Sequence, residues 1–465
     1  MSSSDLFERV AVSLQSAGCR RGERVVVAVS GGVDSMVLLD VLHRHQAVWA
    51  LELYVVHLDH SLRIESIEDE RFVSREARRR GLTYKSWRCD VAAYAAERHI
   101  SIEEAGRERR YAFFAEVAAE VEASKVVLGH HMDDQAETVL MRLVRGSGTS
   151  GLKGMVPLRD ELYLRPLLSV RRVEIETYAR ERAVAFREDI TNKEQRFLRN
   201  RVRGELLPLL CEYNPNIVEA IHRTTTVLRG EDAFIEETAQ SALNASLVEC
   251  CVDKIVLDAP RLVDYHIAVL RRVIRTVLQG FSAGKGPCDF ARIEQVIDLL
   301  KMGDGSPQQL GGELRVQCWQ GRLIVRRGEA QPIAIELEIP GAKEVPHRGG
   351  TLVSQLVSTQ RFPQLFAGLG GARTAFDAER LGTNPLLRSA RVGDRFQPLG
   401  MSGQKKMSDF LIDSKYPRIL RDEVLVIESN GEIAWVVGLR NGHPFRVRAD
   451  SRQIAVLEFS PTATG

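Results

Sequence analysis

The sequence predicts an α/β protein: a Rossmann-like parallel sheet with helices on both faces, followed by a helical domain and a small mixed α+β domain. Three observations lead there. Short β-branched apolar runs alternate with helical segments through residue 144, the pattern that right-handed crossovers between parallel strands require. The first run ends in two glycines and opens directly into a helix. Polar clusters fall just past three of the strands, where open α/β sheets bind their ligands.

Residues 4–17 form an amphipathic lead-in helix with Leu6, Val10, Val12 and Leu14 among its apolar positions. Residues 25–29 are long enough for a buried strand and too short for a helix. Ser30, Gly31 and Gly32 break that strand, and residues 36–42 read as the next helix. The second strand, residues 50–58, runs into the cluster His57-Leu58-Asp59-His60. A charged helix at 66–80 and a third strand at 82–88 follow. Residues 101–121 form a long helix that carries Glu103, Arg107, Arg110 and Phe114 along one face, at the three- and four-residue spacing that shares a helical surface. The fourth strand, residues 125–129, leads into Gly129-His130-His131-Met132-Asp133-Asp134. A helix from 135 to 144 then buries Ala136, Val139, Leu140 and Leu143.

The turn Ser30-Gly31-Gly32-Val33-Asp34-Ser35 is an anion site in outline. The first N–H groups of the helix lack internal partners and carry the positive end of its dipole. Two glycines let a polyanion approach the backbone, two serine hydroxyls add donors, and Asp34 can hold a magnesium ion bridging phosphates. No lysine follows the glycines, so this is not the common lysine-bearing phosphate loop. In the third cluster Asp134 and Glu137, three residues apart, share a face. Two acids at a helix start also complement the dipole. With His130 and His131 they form a set able to bind zinc or to act as acid and base; without cysteine ligands, magnesium at Asp34 and Asp134 or orientation of an amine substrate is the better reading.

Residues 142–155 hold four glycines in nine positions, from Gly146 to Gly154, which disfavours any stable helix or strand. Arg142, Arg145 and Lys153 make this either a surface connector or a basic lid over phosphates or RNA. A second arginine run, Arg199, Asn200, Arg201 and Arg203, lies on a helix at 197–210 and can meet phosphates.

Composition bounds the rest. The chain has 465 residues, 44% hydrophobic and 27% charged, with 64 Lys plus Arg against 62 Asp plus Glu, a net charge of +2. That length implies two to four domains. Net charge announces no nucleic-acid partner; only local clustering can. No signal peptide and no membrane-length apolar run is seen. The seven scattered cysteines argue for a reduced, cytoplasmic protein.

These residues carry a resemblance. The chain is similar to the bacterial tRNA(Ile)-lysidine synthetases of the PP-loop ATP pyrophosphatase superfamily over most of its first 215 residues. The matching pieces are the loop at 30–35, His57 to His60 with Ser61-Leu62-Arg63, Glu104 to Tyr111, Gly129 to Thr138, Arg145 to Met155, Arg165-Pro166-Leu167-Leu168, and Asp189 to Leu210. The loop is shared with many ATP pyrophosphatases; Arg145 to Leu152 and Arg199-Asn200-x-x-Arg203 are more particular to this family. Gly106 stands where the family usually has alanine, and Arg107, Arg110 and Tyr111 keep their places.

The resemblance implies a reaction. ATP adenylates the carbon-2 oxygen of the cytidine at the first anticodon position of an isoleucine tRNA with a CAU anticodon. The side-chain amine of L-lysine then attacks that carbon, forming lysidine and releasing AMP, after pyrophosphate. It implies ATP contacts from Ser30, Gly31, Gly32, Val33, Asp34, Ser35, His57 and Asp59. Catalytic roles fall to Asp34, Arg107, His130, Asp134 and Glu137, with Mg2+ at Asp34 and Asp134. Contacts to tRNA fall to Arg110, Arg142, Arg145, Lys153, Arg199, Asn200 and Arg203, and in the C-terminal part to Lys405 and Lys406. Deprotonating a free amine of pKa ~10.4 at pH 7 costs about 4.6 kcal/mol, so Asp134 and Glu137 are expected to hold the lysine and relay its proton, with His130 as orienter. The divisions read as 1–215 catalytic, 216–330 mainly helical and tRNA-holding, 331–385 a linker with short strands, and 386–465 a small tRNA-binding domain. A homodimer is compatible with the sequence. Two other readings stay open: a PP-loop tRNA thiolase, which needs sulfur-handling cysteines, and a non-catalytic ATP-sensing RNA-binding protein.

In the C-terminal half, residues 311–327 read as a hairpin, and 424–427 pairs with 434–439 across Asn430-Gly431, a strong hairpin signal.

Overall fold

The computed structural model describes residues 3–59, 66–187, 198–281, 289–346, 350–359 and 371–461. His60, Ser61-Leu62-Arg63, residues 189–192, Phe197 and positions 368–370 lie outside the described residues. The chain divides into two compact units, Met1–Phe234 and Ile235–Gly465.

The first unit is built on strands β1 (Arg24–Ala28), β2 (Glu52–Asp59), β3 (Thr83–Arg88), β4 (Lys125–Val127), β5 (Leu158–Arg159) and β6 (Tyr163–Leu164), in the order β3-β2-β1-β4-β6-β5. All neighbours pair in parallel except β5 and β6. Strand alternation divides the core: Val25, Val27 and Val55 face one cluster, Val26, Val56 and Val126 the other, as a period of two demands. The first cluster packs under α1 (Ser3–Ser16), α2 (Val33–Trp49), α3 (Ser66–Arg79) and a helix at Arg172–Glu181; the second packs under the helix Ile102–Glu120. This is the doubly covered sheet that the alternation predicts. Its strand order reverses between β1 and β4, so the crevice of the fold opens there.

Three local differences have local causes. A helix at Val91–Arg98, not foreseen, is started by Asp90, whose carboxylate accepts from the Ala93 N–H at 2.9 Å. The helix after β4 runs Met132–Val144 and starts a turn early because His131 and Asp134 cap it reciprocally. At its far end Leu143 is exposed rather than buried. Within the glycine-rich segment Thr149–Leu152 forms a short helix, where no stable helix was expected.

The second unit is less helical than expected at its start. Leu247–Cys250 and Lys254–Asp258 form an antiparallel pair inside a five-stranded sheet that also holds Gln308–Gly311, Leu314–Trp319 and Arg322–Arg327. The last two strands are the predicted hairpin. Helices Ile267–Phe281 and Phe290–Met302 pack on it. Residues 331–385, read as a linker, supply strands Ala334–Glu336, Gly341–Val345, Gly350–Ser358 and Arg373–Asp377 to two further sheets with the C-terminal strands. Leu425–Ser429 and Glu432–Val436 pair antiparallel. Asn430 and Gly431 between them both have positive φ, 52° and 77°, the geometry of a type I′ turn.

Candidate active site

The loop after β1 folds around one hydroxyl. Ser35 Oγ accepts from the Ser30 and Gly31 N–H groups, each at 3.2 Å, and donates to the Gly32 carbonyl at 2.9 Å. Gly31 has φ +96°, which only glycine adopts without strain. Gly32 caps α2 without a side-chain bond, so the positive end of that helix is left facing the crevice.

The loop after β4 lies against this one. A Cβ on Gly129 would come within 3.3 Å of the Asp34 carbonyl carbon and of Ser35 N and Cα. Glycine there is what lets the two loops touch. The contact brings Asp34, His131 and Asp134 together: His131 Nε2 lies 3.7 Å from Asp34 Oδ1 and 3.4 Å from Asp134 Oδ2. His131 Nδ1 accepts the Asp134 N–H at 3.3 Å, and Asp134 Oδ2 accepts the His131 N–H at 3.1 Å. With Nδ1 an acceptor, Nε2 carries the ring proton, between the two carboxylates.

Asp34 Oδ1 is buried and has no hydrogen-bond partner. Burial pushes the Asp34 carboxyl upward, against the opposing pull of His131 and Arg172. Asp134 goes the other way. Burial would raise it, but His131, Arg199, His130 and the His131 N–H together bring it down to about 2.

The arginine run meets carboxylates. Leu198–Arg201 is α-helical, and Val202–Leu206 continues it as a π-helical turn. Arg199 and Arg203 therefore face the same way. Arg199 bonds Glu137 Oε2 and Asp134 Oδ1, each at 2.8 Å. Arg203 bonds Glu137 Oε1 at 2.5 Å, Glu137 Oε2 at 3.0 Å and Asp134 Oδ1 at 3.3 Å. Two buried acids and two arginines form a closed, neutral quartet. Asn200 is half-buried.

Other predicted residues fall around this core. His57 is buried on β2, its Nδ1 2.8 Å from the Val29 carbonyl at the mouth of the loop. Asp59 is buried and bonds Arg88 at 2.7 Å. His130 Nδ1 is buried without a partner. Burial takes the His130 imidazole down to about 3; Asp134 opposes this, while Arg165, Arg199 and Arg110 add to it. Arg107 and Arg110 are exposed, with Arg107 stacked over the Tyr111 ring at 5.4 Å. Arg165 is buried and donates to the Val156 carbonyl at 2.8 Å and the Tyr111 hydroxyl at 3.2 Å.

The glycine-rich segment is pinned. Arg142 Nη1 donates to the Gly151 and Gly154 carbonyls at 2.7 and 3.0 Å. The buried Gln135 amide accepts the Met155 N–H at 2.7 Å. Lys153 pairs with the buried Asp232 at 2.5 Å. Of its three basic side chains Arg145 is the exposed one. In the second unit Lys405 pairs with Asp413, and Lys406 is exposed. Among the described residues no group of three or more His, Cys, Asp or Glu is gathered to hold a metal ion, and no helix is long and apolar enough to cross a membrane.

Of the two histidines in the predicted cluster it is His131 that lies between the carboxylates, because a residue three before Asp134 at a helix start is where a reciprocal cap forms.

A parallel sheet that reverses its order beside a two-glycine loop, with an acidic residue opening the next helix, defines an α/β nucleotide-binding protein of the PP-loop class. Residues 5–210 match the PP-loop domain family, and residues 386–457 match the TilS substrate C-terminal domain family. The chain is 38% identical to the tRNA(Ile)-lysidine synthase of Geobacter sulfurreducens, over 94% of this chain and 93% of that protein. It is 34% identical to that of Dehalococcoides mccartyi, over 98% and 99%, and 36% identical to that of Symbiobacterium thermophilum, over 93% and 92%. The chain belongs to the tRNA(Ile)-lysidine synthase family.

Proposed function

We propose that this protein uses ATP to join L-lysine to carbon 2 of the cytidine at the first anticodon position of an isoleucine tRNA with a CAU anticodon. The products are lysidine, AMP and pyrophosphate, and the modified tRNA reads AUA. The observation that carries the reading is the meeting of Asp34 and Asp134 at His131, beside an uncapped helix start.

Each part has a task. The amide-like carbonyl of cytidine is a poor electrophile, and transfer of AMP to its oxygen makes that oxygen a leaving group. The open α2 terminus and the loop at 30–35 take the pyrophosphate. Asp34 is the residue to hold Mg2+: its Oδ1 is a buried carboxylate oxygen that accepts no hydrogen bond, and magnesium is commonly held by one or two carboxylates together with substrate phosphates. When bound, the ion would offset charge on the transferring phosphoryl group. Arg107 and Arg110 stand exposed to receive phosphates, as does Arg145, and we assign Lys406 to a second grip on tRNA.

We assign Asp134 and Glu137 to fixing the lysine ammonium, Asp134 being kept ionised by the neighbours that hold it down to about 2, and His131, which lies between Asp34 and Asp134, to orienting them. A release assay with tRNA, ATP and labelled lysine, omitting each in turn, tests the reading. Label should enter tRNA only when all three are present, with stoichiometric AMP. Label entering without ATP, or pyrophosphate release that never leads to lysine in tRNA, would refute it.

A further inference from the structure

In the free protein the acids that are to hold lysine are already neutralised. Both oxygens of Glu137 and Oδ1 of Asp134 are taken by Arg199 and Arg203, and Asp134 Oδ2 accepts the His131 N–H. An ammonium entering this quartet makes it a net cation in a buried setting, which is costly. Arg199 and Arg203 each span both acids, with side chains 35% and 30% exposed, and Arg199 is the one whose charge acts on Arg110 together with that of Arg107, so it is the member placed to change partner.

We infer that Arg199 is a positioning residue that responds to phosphate: it neutralises Asp134 and Glu137 in the free protein and releases them when a phosphate anion arrives beside Arg107 and Arg110. Lysine then binds after the phosphate ligand. This rests on the reading that Asp134 and Glu137 hold the lysine. Two sources supply the anion, the triphosphate of ATP and the tRNA backbone. Linkage makes the effect reciprocal: lysine must tighten the phosphate ligand by the same factor.

The test is lysine affinity by calorimetry on the full chain, alone, with a non-hydrolysable ATP analogue and magnesium, and with unmodified tRNA. One of the two ligands should lower the lysine Kd by about tenfold or more, within the usual range of coupling, and the arm that does so names the source. In Arg199→Gln the free protein should bind lysine more tightly than wild type, and the linkage should shrink to about twofold or less. A residue that merely supports the fold would weaken lysine binding in every state. Arg199→Lys, which keeps the charge and loses the fork, should give an intermediate linkage and serves if the glutamine variant does not fold. Equal lysine affinity with and without both ligands, or full linkage surviving in Arg199→Gln, overturns the inference. Failure of the function reading looks different: no lysine would enter tRNA at all.

Discussion

Replacing Asp134 by asparagine removes one negative charge from the quartet and keeps its shape. The Asp134 carboxyl lies at about 2 instead of 3.8, a depression worth roughly 2 kcal/mol to the fold when it is ionised. Because the folded value is depressed, that contribution is complete above pH 3.8 and is lost as the pH falls toward about 2. At neutral pH the variant therefore loses all of it, and Arg199 and Arg203 share the single charge of Glu137. A loss of about 2–3 kcal/mol should lower the melting temperature by roughly 5–10 °C. Below about pH 2 the two proteins should converge. Lysine incorporation should drop by about 10²-fold or more, the scale of losing one preorganised electrostatic partner. Binding of tRNA should stay within a few-fold (about threefold) of wild type, since Asp134 is buried behind the arginines. An unchanged melting curve together with turnover within about tenfold of wild type would refute this reasoning.

Other sites give independent checks. Gly129→Ala puts a methyl 3.3 Å from the backbone of Asp34 and Ser35, so the two loops must part; kcat should fall by about tenfold or more with little change in melting temperature. His130→Gln should flatten the acid side of the stability profile. His130 is held at about 3 rather than 6.5 by burial, so wild type loses stability as the pH falls from 6.5 toward about 3, and denaturant titrations across that window measure the difference. Lys153→Met removes the ammonium that pairs with the buried Asp232 carboxylate and should cost about 2 kcal/mol, seen as a lower melting temperature. Lys406→Glu should raise the KM for tRNA and leave that for ATP unchanged in steady-state kinetics.

The catalytic sheet was legible because its signals are local. Val25 to Val29 is mostly β-branched and bounded by glycine, and the helix read from residue 101 starts there because Ser101 accepts the Glu104 N–H at 3.2 Å. What was illegible depends on partners far along the chain. Nothing near Arg199 says that its guanidinium spans Asp134 and Glu137; an arginine run looks the same whether it faces phosphate or carboxylate. The 142–155 segment reads as mobile from its glycines, yet Arg142 and Gln135 on the preceding helix hold its carbonyls and N–H groups. The strand at Leu247–Cys250 is an edge strand with exposed Leu247 and Val248, so it lacks the alternation that marks a half-buried strand.

The most direct measurement is mass analysis of the anticodon fragment of a CAU-anticodon isoleucine tRNA, incubated with the protein, ATP, magnesium and lysine. The first anticodon cytidine should gain one lysine less one water, and Asp34→Ala should abolish the gain. An unmodified cytidine under those conditions, or a gain on any other nucleotide, would contradict the account.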